Sequence, residues 1–164
     1  MKPCLLIIDV QKQFVKQSLQ TAQSIQAAIE GINAAIALFR EKNLPIVCIQ
    51  NIDEQNNLAP GAAEFEVPVE LQVLASDLHI HKRYMNSFNM TPLEQHLREL
   101  GVDTVIVTGY CAEYCVLGTY RGADDLDLQP RILLGAVAGD IAENIAFVTS
   151  ISDTISLAAL QTIL

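Results

Sequence analysis

Three side chains in this sequence could together carry out nucleophilic chemistry, and each lies at or after the end of a predicted strand. They are Asp9, Lys82 and Cys115. A cysteine with an acid to take its proton and a cation to hold its thiolate is a recognised nucleophile arrangement. Taken singly, the three have ordinary alternatives, since Asp9 could cap a loop, Lys82 could be solvated and Cys115 could be buried core. Their joint placement predicts a thiol nucleophile.

The segment around Cys115 reads as a strand, a sharp turn and a helix. Residues 104–109 form a β-branched run that ends at a glycine, and helix-compatible residues follow from Ala112. This pattern places Cys115 near a helix N-terminus, where free N–H groups and the helix dipole favour a thiolate. We therefore expect a lowered thiol pKa, and faster alkylation of Cys115 than of Cys4 or Cys48.

The elements that must position these side chains alternate between strand and helix. Such a pattern predicts an α/β fold, a three-layer αβα arrangement with a mostly parallel, about six-stranded, Rossmann-like sheet in a single domain over 1–164. Ligands of such sheets bind outside the carboxyl ends of the strands, which is where all three side chains fall. The pattern predicts strands at 4–8, 46–49, 78–82, 104–108, 131–134 and near 154–155, and helices at 21–42, 91–100, 115–123, 141–149 and from 157 onward.

Composition limits the partners of the chain. The 164 residues carry a net charge of −9, which gives no electrostatic reason to bind nucleic acid or an anionic membrane. No apolar stretch is long enough to span a bilayer, and the start lacks a secretory signal pattern. The four cysteines show no metal-type CxxC spacing, so we expect a reduced, cytoplasmic protein.

Three ordered motifs carry a resemblance to a known family. They are Asp9–Phe14 (DVQKQF), Lys82–Phe88 (KRYMNSF) and Thr108–Val116 (TGYCAEYCV). In this order, and within the alternating pattern, the chain resembles the isochorismatase-like cysteine hydrolases, which include nicotinamidases and N-carbamoylsarcosine amidases. The resemblance implies hydrolysis of a small amide, ureido or related C–N bond through a thioester.

The resemblance also implies a role for each residue. Asp9 would serve as general base and then acid, and Lys82 would lower the thiol pKa and orient the acid. Cys115 would attack the carbonyl, and an oxyanion hole would come from the backbone N–H groups of Cys111 and Cys115. The family's non-proline cis peptide maps to Tyr110–Cys111.

Aromatic residues close to the three positions are candidates for the substrate pocket. Phe14, Phe88, Tyr110 and Tyr114 lie within a few residues of them in a chain with nine aromatics, and Gln11 joins them from the first motif. Core packing is the ordinary alternative for these rings, above all for Phe88. If they line the site, the substrate is small and flat, or apolar around its carbonyl.

No metal and no cofactor is predicted. Nicotinamidases hold a metal with an Asp and His cluster, but residues 50–57 contain no histidine. His79 and His81 share one strand face without a third ligand. A weak site near Asn51 or Asp53 is left open.

Two other functions stay open from the sequence. One is cleavage of an isochorismate-type vinyl ether, against which the intact Asp, Lys and Cys set argues, since such members need no cysteine nucleophile. The other is a non-catalytic, redox-regulatory protein that uses Cys111 and Cys115. Disulfide formation between them requires their side chains to converge at the turn.

The chain is also expected to form a homo-oligomer, a dimer or larger. The helix at 21–42 is rich in Ala and Ile on more than one face, and residues 155–164 are equally apolar. Apolar faces that a small domain cannot cover tend to be covered by another subunit.

Overall fold

A computed structural model describes all 164 residues and contains one six-stranded sheet. Every pair of neighbouring strands runs parallel, in the order β3-β2-β1-β4-β5-β6. The predicted α/β fold is thus confirmed, and the sheet is fully rather than mostly parallel. The strands are β1 (Pro3–Ile8), β2 (Ile46–Asn51), β3 (Leu78–Lys82), β4 (Thr104–Gly109), β5 (Gln129–Val137) and β6 (Thr154–Ile155).

The sheet order reverses at its centre. From β1 the chain builds outward through β2 to β3, then returns to the other side of β1 and continues through β4, β5 and β6. The reversal lies between β1 and β4, where a crevice opens at the carboxyl ends of the strands. Asp9 follows β1, and the segment carrying Cys115 follows β4, so both fall at this point.

Helices cover both faces of the sheet. Because side chains alternate along a strand, Leu5 and Ile7 of β1 face one hydrophobic core, while Leu6 and Ile8 face another. The first core is closed by the second and sixth helices, and the other by the third, fourth and fifth. The helices are α1 (Lys12–Val15), α2 (Leu19–Glu41), α3 (Leu93–Glu99), α4 (Leu117–Asp125), α5 (Ala142–Ser150) and α6 (Leu157–Ile163).

Several local predictions differ from the structure. Helix α1 was not predicted, because its single turn is too short to show a helical period. Strand β5 is longer than predicted at both ends. The segment after β4 begins as a π-helical turn, Ala112–Val116, before α4 continues. Cys115 therefore lies inside this turn.

Gly109 allows β1 and β4 to meet closely at the crevice. Its φ is +111°, and a Cβ at this position would clash with the backbone carbonyl oxygen of Ile8. Only glycine fits both the backbone angle and the space. The turn that carries Cys115 can therefore leave the sheet directly beside Asp9.

None of the helices combines the length and the apolar character needed to cross a bilayer.

Candidate active site

Asp9, Lys82 and Cys115 form one cluster at the carboxyl edge of the sheet. The Lys82 Nζ atom lies 2.8 Å from Asp9 Oδ2 and donates a hydrogen bond to Cys115 Sγ at 3.2 Å. The side chains of Asp9 and Lys82 are fully buried, and Cys115 is half-buried. The ammonium group thus bridges the carboxylate and the sulfur.

The geometry explains why a lysine occupies position 82. Strand β3 lies two strands away from β1, so a side chain at its end must pass over β2 to reach Asp9. With strands about 4.8 Å apart, only a long side chain can cover that distance. Asp9 itself has a left-handed φ of 52°, a conformation that aspartate adopts more readily than most residues.

Asn51 completes the polar cluster, and Gln11 holds it in place. Asn51 Oδ1 accepts a hydrogen bond from Lys82 Nζ at 3.5 Å. Gln11 Oε1 accepts from the Asn51 backbone N–H at 2.8 Å, while Gln11 Nε2 donates to the carbonyl oxygens of Asn51 and Phe65. Gln11 is completely buried and does not line the cavity described below, so its position does not agree with the predicted substrate contact. It orients Asn51 instead.

The electrostatics of the thiol differ from the sequence prediction. Burial, reinforced by the nearby Asp9 carboxylate, raises the pKa of the Cys115 thiol to about 12, although Lys82 acts in the opposite direction. A lowered pKa had been expected from a helix N-terminus, but Cys115 lies inside the π-helical turn and is largely desolvated. At neutral pH the resting thiol is therefore protonated.

Asp9 is available to accept the thiol proton. Burial raises the pKa of this carboxyl above its ordinary value, and the charge of Lys82 and its hydrogen bond offset that rise only in part. Its Oδ1 atom is buried and accepts no hydrogen bond. An ion pair next to a protonated thiol is the ground state expected before general-base activation.

A cavity of about 260 Å³ opens beside the cluster. Three of the five predicted substrate contacts, Phe14, Tyr110 and Tyr114, line it. The rings of Phe14 and Tyr110 pack with their centroids 5.0 Å apart. The full lining consists of Asp9, Phe14, Gln17, Asn51, Tyr110, Cys111, Tyr114, Cys115 and Asp140.

Phe88 lies outside this cavity. It packs against the core beneath α3 and α4 and borders a different surface depression, together with Asn86 and Asn89. The neighbouring Ser87 is anchored to Thr119 of α4 through a 2.7 Å bond between their hydroxyls and a 3.1 Å bond from its own N–H. This part of the second motif therefore fastens a loop to α4, in disagreement with the predicted pocket role of Phe88.

Three residues of the cavity wall, Gln17, Asn51 and Asp140, are not among the catalytic or substrate-binding residues predicted from the sequence. The Tyr110 hydroxyl donates to Asp140 Oδ1 at 2.9 Å and contacts Gln17 Oε1 at 3.2 Å. Burial and the bond to Asp140 raise the pKa of this hydroxyl. Asp140 lies three residues after the end of β5, so its position at a strand end, like that of Asp9, is a sequence signal that could have identified it. Nothing in the sequence points to Gln17.

Cys111 contributes a second thiol to the cavity wall. It donates to Glu113 Oε2 at 3.1 Å, and Asn144 Nδ2 holds the other oxygen of Glu113 at 2.6 Å. Burial and this bond raise the pKa of Cys111 to about 12. The peptide bond from Tyr110 to Cys111 is cis. All four cysteines are free thiols.

The structure brings together no metal-binding cluster. No group of three or more His, Cys, Asp or Glu side chains is placed to hold an ion. The His79 ring is bonded to the carbonyl oxygen of Leu74, and the His81 ring packs edge-on against Phe65.

Comparison with known proteins shows the family of the chain. The isochorismatase domain family matches residues 3–144, which is most of the chain and includes Asp9, Lys82 and Cys115. The chain belongs to the isochorismatase family.

Relatives within the isochorismatase family share both sequence and fold with the chain. The family protein YrdC of Bacillus subtilis is 27% identical over 139 residues, which cover 84% of this chain and 74% of YrdC. An isochorismatase-like hydrolase from Alkaliphilus metalliredigens, 20% identical, superposes with a TM-score of 0.89 over 99% of both chains. N-carbamoylsarcosine amidase from Thermoplasma acidophilum is 25% identical, with a TM-score of 0.83 over 96% of this chain and 97% of its own.

Proposed function

We propose that this isochorismatase-family protein is a cysteine-dependent hydrolase of a small amide, ureido or related C–N bond. The observation that carries the proposal is the buried Lys82 ammonium group between the Asp9 carboxylate and the Cys115 sulfur. Taking an ammonium group and a carboxylate out of water costs several kcal/mol for each ion, at order-of-magnitude precision. A fold has little reason to bear that cost beside a thiol unless the thiol reacts. The similarity to N-carbamoylsarcosine amidase supports the same substrate class.

In the proposed mechanism, Asp9 removes the Cys115 proton as the sulfur attacks the substrate carbonyl. Because the thiol pKa is raised to about 12, the thiolate is not formed in advance but develops during the attack. Lys82 stabilises the developing negative charge on sulfur. Asp9 then protonates the leaving nitrogen, and the acyl group stays on Cys115 as a thioester.

The second half of the reaction returns the enzyme to its starting state. Water, deprotonated by Asp9, attacks the thioester, and the thiol leaves with the proton. The oxyanion of each tetrahedral intermediate would be bound by the backbone N–H groups of Cys111 and Cys115. The Cys111 N–H donates to no other backbone group, so it is free for this role.

An isochorismate-type vinyl-ether hydrolase is the alternative within the family. Such chemistry needs an acid but no cysteine nucleophile, so activity would survive the loss of the Cys115 sulfur. A redox-regulatory role for Cys111 and Cys115 is a second alternative, although the Cys111 thiol donates a hydrogen bond to Glu113. Both alternatives make Cys115→Ala a decisive variant.

The test is an activity screen over small amides, ureides and isochorismate with the intact protein and with Cys115→Ala. We expect hydrolysis of at least one C–N substrate and a loss of roughly 10³-fold or more in kcat for the variant. Mass spectrometry after an acid quench should find the acyl group on Cys115. Isochorismate cleavage that survives in Cys115→Ala would establish the alternative.

We also propose that the protein works as a single domain over residues 1–164, in the cytoplasm, without metal or cofactor. One sheet draws its strands from Pro3 to Ile155, and four free thiols suit a reducing compartment. Because the chemistry runs through Asp9, Lys82 and Cys115, dialysis against a chelator should leave kcat unchanged. A loss that zinc or magnesium restores would contradict this.

A further inference from the structure

Asp140 places a carboxylate with one open oxygen on the wall of the cavity. Its Oδ1 atom accepts hydrogen bonds from Tyr110 Oη at 2.9 Å and from Thr21 Oγ1 at 2.7 Å, which fix the orientation of the group. Its Oδ2 atom accepts no hydrogen bond from the protein. The side chain is partly buried and lines the same cavity as Cys115. One oxygen of Asp140 is thus anchored, and the other is left for a ligand.

The charge of Asp140 is not balanced within the cavity. No arginine, lysine or histidine is among the lining residues. The nearby Lys82 is neutralised by Asp9 at 2.8 Å, and Lys16, on the turn that follows Phe14, is bound to Glu64 at 2.6 Å. The cavity therefore offers a negative charge without a cation that could receive a carboxylate.

The aromatic walls of the cavity favour the same kind of ligand. Phe14 and Tyr110 form a tilted pair with an angle of 34° between their planes, and Tyr114, which is half exposed, lines the same cavity. The faces of aromatic rings attract cations, and an ammonium group among them gains further from a nearby carboxylate. The net charge of −9 attracts a cation over longer range as well.

We propose that the substrate is a small amide or ureide that carries a positively charged amino group away from its scissile carbonyl. Asp140 binds this ammonium group through Oδ2, and Phe14 and Tyr110 pack around it. A substrate with carboxylates, such as isochorismate, meets repulsion at the same place. The inference rests on the proposed hydrolase function and assigns Asp140 as the residue that determines its substrate specificity.

The test compares three amides of equal length that end in an ammonium, a neutral or a carboxylate group. For the wild type we expect kcat/KM to be at least about tenfold higher for the ammonium amide than for the neutral one, and lowest for the carboxylate. In Asp140→Asn the amide oxygen can still accept from Tyr110 and Thr21, but the charge is gone. The ammonium-to-neutral ratio should then fall by about tenfold.

Asp124→Asn is the matched control, because Asp124 is exposed, makes no side-chain hydrogen bond and lies outside the cavity. It removes the same charge from the whole protein and should leave the ratio at its wild-type value. An equal fall in both variants would assign the effect to net charge and overturn the proposal. So would an unchanged ratio in Asp140→Asn, or a wild-type preference for the carboxylate amide.

A binding experiment separates this inference from the hydrolase proposal. Calorimetric titration of Cys115→Ala with the same three amides reports the ligand class without any turnover. Selective binding of the ammonium amide, lost in the Cys115→Ala, Asp140→Asn double variant, supports the inference even if the wild type hydrolyses nothing. Hydrolysis of the neutral and carboxylate amides in preference to the ammonium amide would leave the hydrolase proposal standing and overturn this one.

Discussion

At the scale of single residues, the neighbours of Cys115 have opposing effects on the pKa of its thiol. Asp9 raises the pKa of the Cys115 thiol, and Lys82 lowers it, while burial raises it most. If Cys115 is the nucleophile that we propose, its thiol is protonated at neutral pH before substrate binds. This arrangement also protects the thiol from adventitious electrophiles at neutral pH, since the thiolate is the reactive form.

Alkylation of Cys115 should rise with pH well beyond neutrality. Cys115 is the half-buried thiol, while Cys4, Cys48 and Cys111 are buried, so iodoacetamide should label it first. Because its pKa is about 12, the rate should keep increasing from pH 7 to pH 10. Labelling followed by mass spectrometry at each pH measures this, and a plateau near neutral pH would contradict the raised pKa.

Replacing Asp9 by asparagine should separate thiol reactivity from turnover. The variant removes the anion that raises the thiol pKa and leaves Lys82 at 3.2 Å from the sulfur. Alkylation at pH 7 should therefore become faster, by about tenfold for each unit by which the pKa falls. Turnover should be lost, because no base remains. Asp124→Asn is the control. Slower alkylation of Cys115 in Asp9→Asn than in the wild type would contradict the conclusion that Asp9 raises the pKa of this thiol.

Breaking the buried ion pair from one side should destabilise the protein. Lys82→Met leaves the Asp9 carboxylate buried without its partner, at a cost of about 3–5 kcal/mol in the free energy of unfolding. The double variant Asp9→Asn, Lys82→Met removes both charges and should recover a large part of that loss. Urea denaturation of the two variants measures the difference. Equal stability of both would mean that the unpaired carboxylate costs nothing.

At the scale of elements, the contact of β1 with β4 sets the site. Ile8 of β1 pairs with Gly109 of β4 in the parallel register. Asp9 is the residue that follows Ile8. The turn after β4 then carries Tyr110 and Cys111 into the cavity wall, and its π-helical form places Cys115 within reach of Lys82. A small change at Gly109 therefore affects both the sheet and the site.

Gly109→Ala should be far more destabilising than Gly61→Ala. Both glycines have a positive φ, but a Cβ at Gly61 meets nothing within 4 Å, while at Gly109 it meets the backbone of Ile8. We expect a loss of about 1 kcal/mol for Gly61→Ala from the backbone angle alone. Gly109→Ala should lose more than about 3 kcal/mol, since overpacking adds to the same strain. Thermal and urea unfolding compare the two, and similar losses would contradict the close approach of the strands.

At the scale of the whole molecule, the apolar surface differs from that expected from the sequence. The Ile stripe of α2 is buried within the protomer, and its outward positions are mainly polar, as at Gln23, Gln26 and Glu30. Apart from Leu19 at the start of α2, the exposed large apolar residues lie outside this helix, and three of them, Ile141, Phe147 and Ile151, are at α5 and its ends. If the protein is an oligomer, the apolar face of α5 is a better candidate for its interface than α2.

The homo-oligomer stays a prediction, and Phe147→Glu tests it. Phe147 is 58% exposed on α5, so a charge there should prevent another copy from covering this face. Light scattering should give the wild type at least twice the chain mass of 17.9 kDa, and Phe147→Glu a mass near 17.9 kDa. Val69→Glu, at a 90% exposed position away from α5, is the control. A wild-type mass of 17.9 kDa would contradict the oligomer.

The amino-acid sequence by itself determined the strands and the edge at which the site forms. Apolar runs mark the strands, because a parallel strand is buried on both faces. Asp9 follows such a run, Lys82 ends the short strand at 78–82, in which histidines alternate with apolar residues, and the Cys115 segment follows the run at 104–108. The carboxyl ends of parallel strands meet at one edge, so the three positions could be grouped without knowledge of the strand order.

Only the tertiary structure decided what surrounds each side chain. The raised pKa of Cys115 depends on burial beneath neighbouring segments and on a carboxylate 106 positions away in the chain, neither of which a local pattern records. The Gln11 side chain is buried and hydrogen-bonded to Asn51, and Phe88 packs against the core near α4 instead of lining the cavity. Both residues belong to the motifs that carry the resemblance. Asp140 reached the cavity because β5 lies beside β4 in the sheet. Contacts of this kind join residues distant in the chain, and the packing of the whole fold selects among the directions open to each side chain.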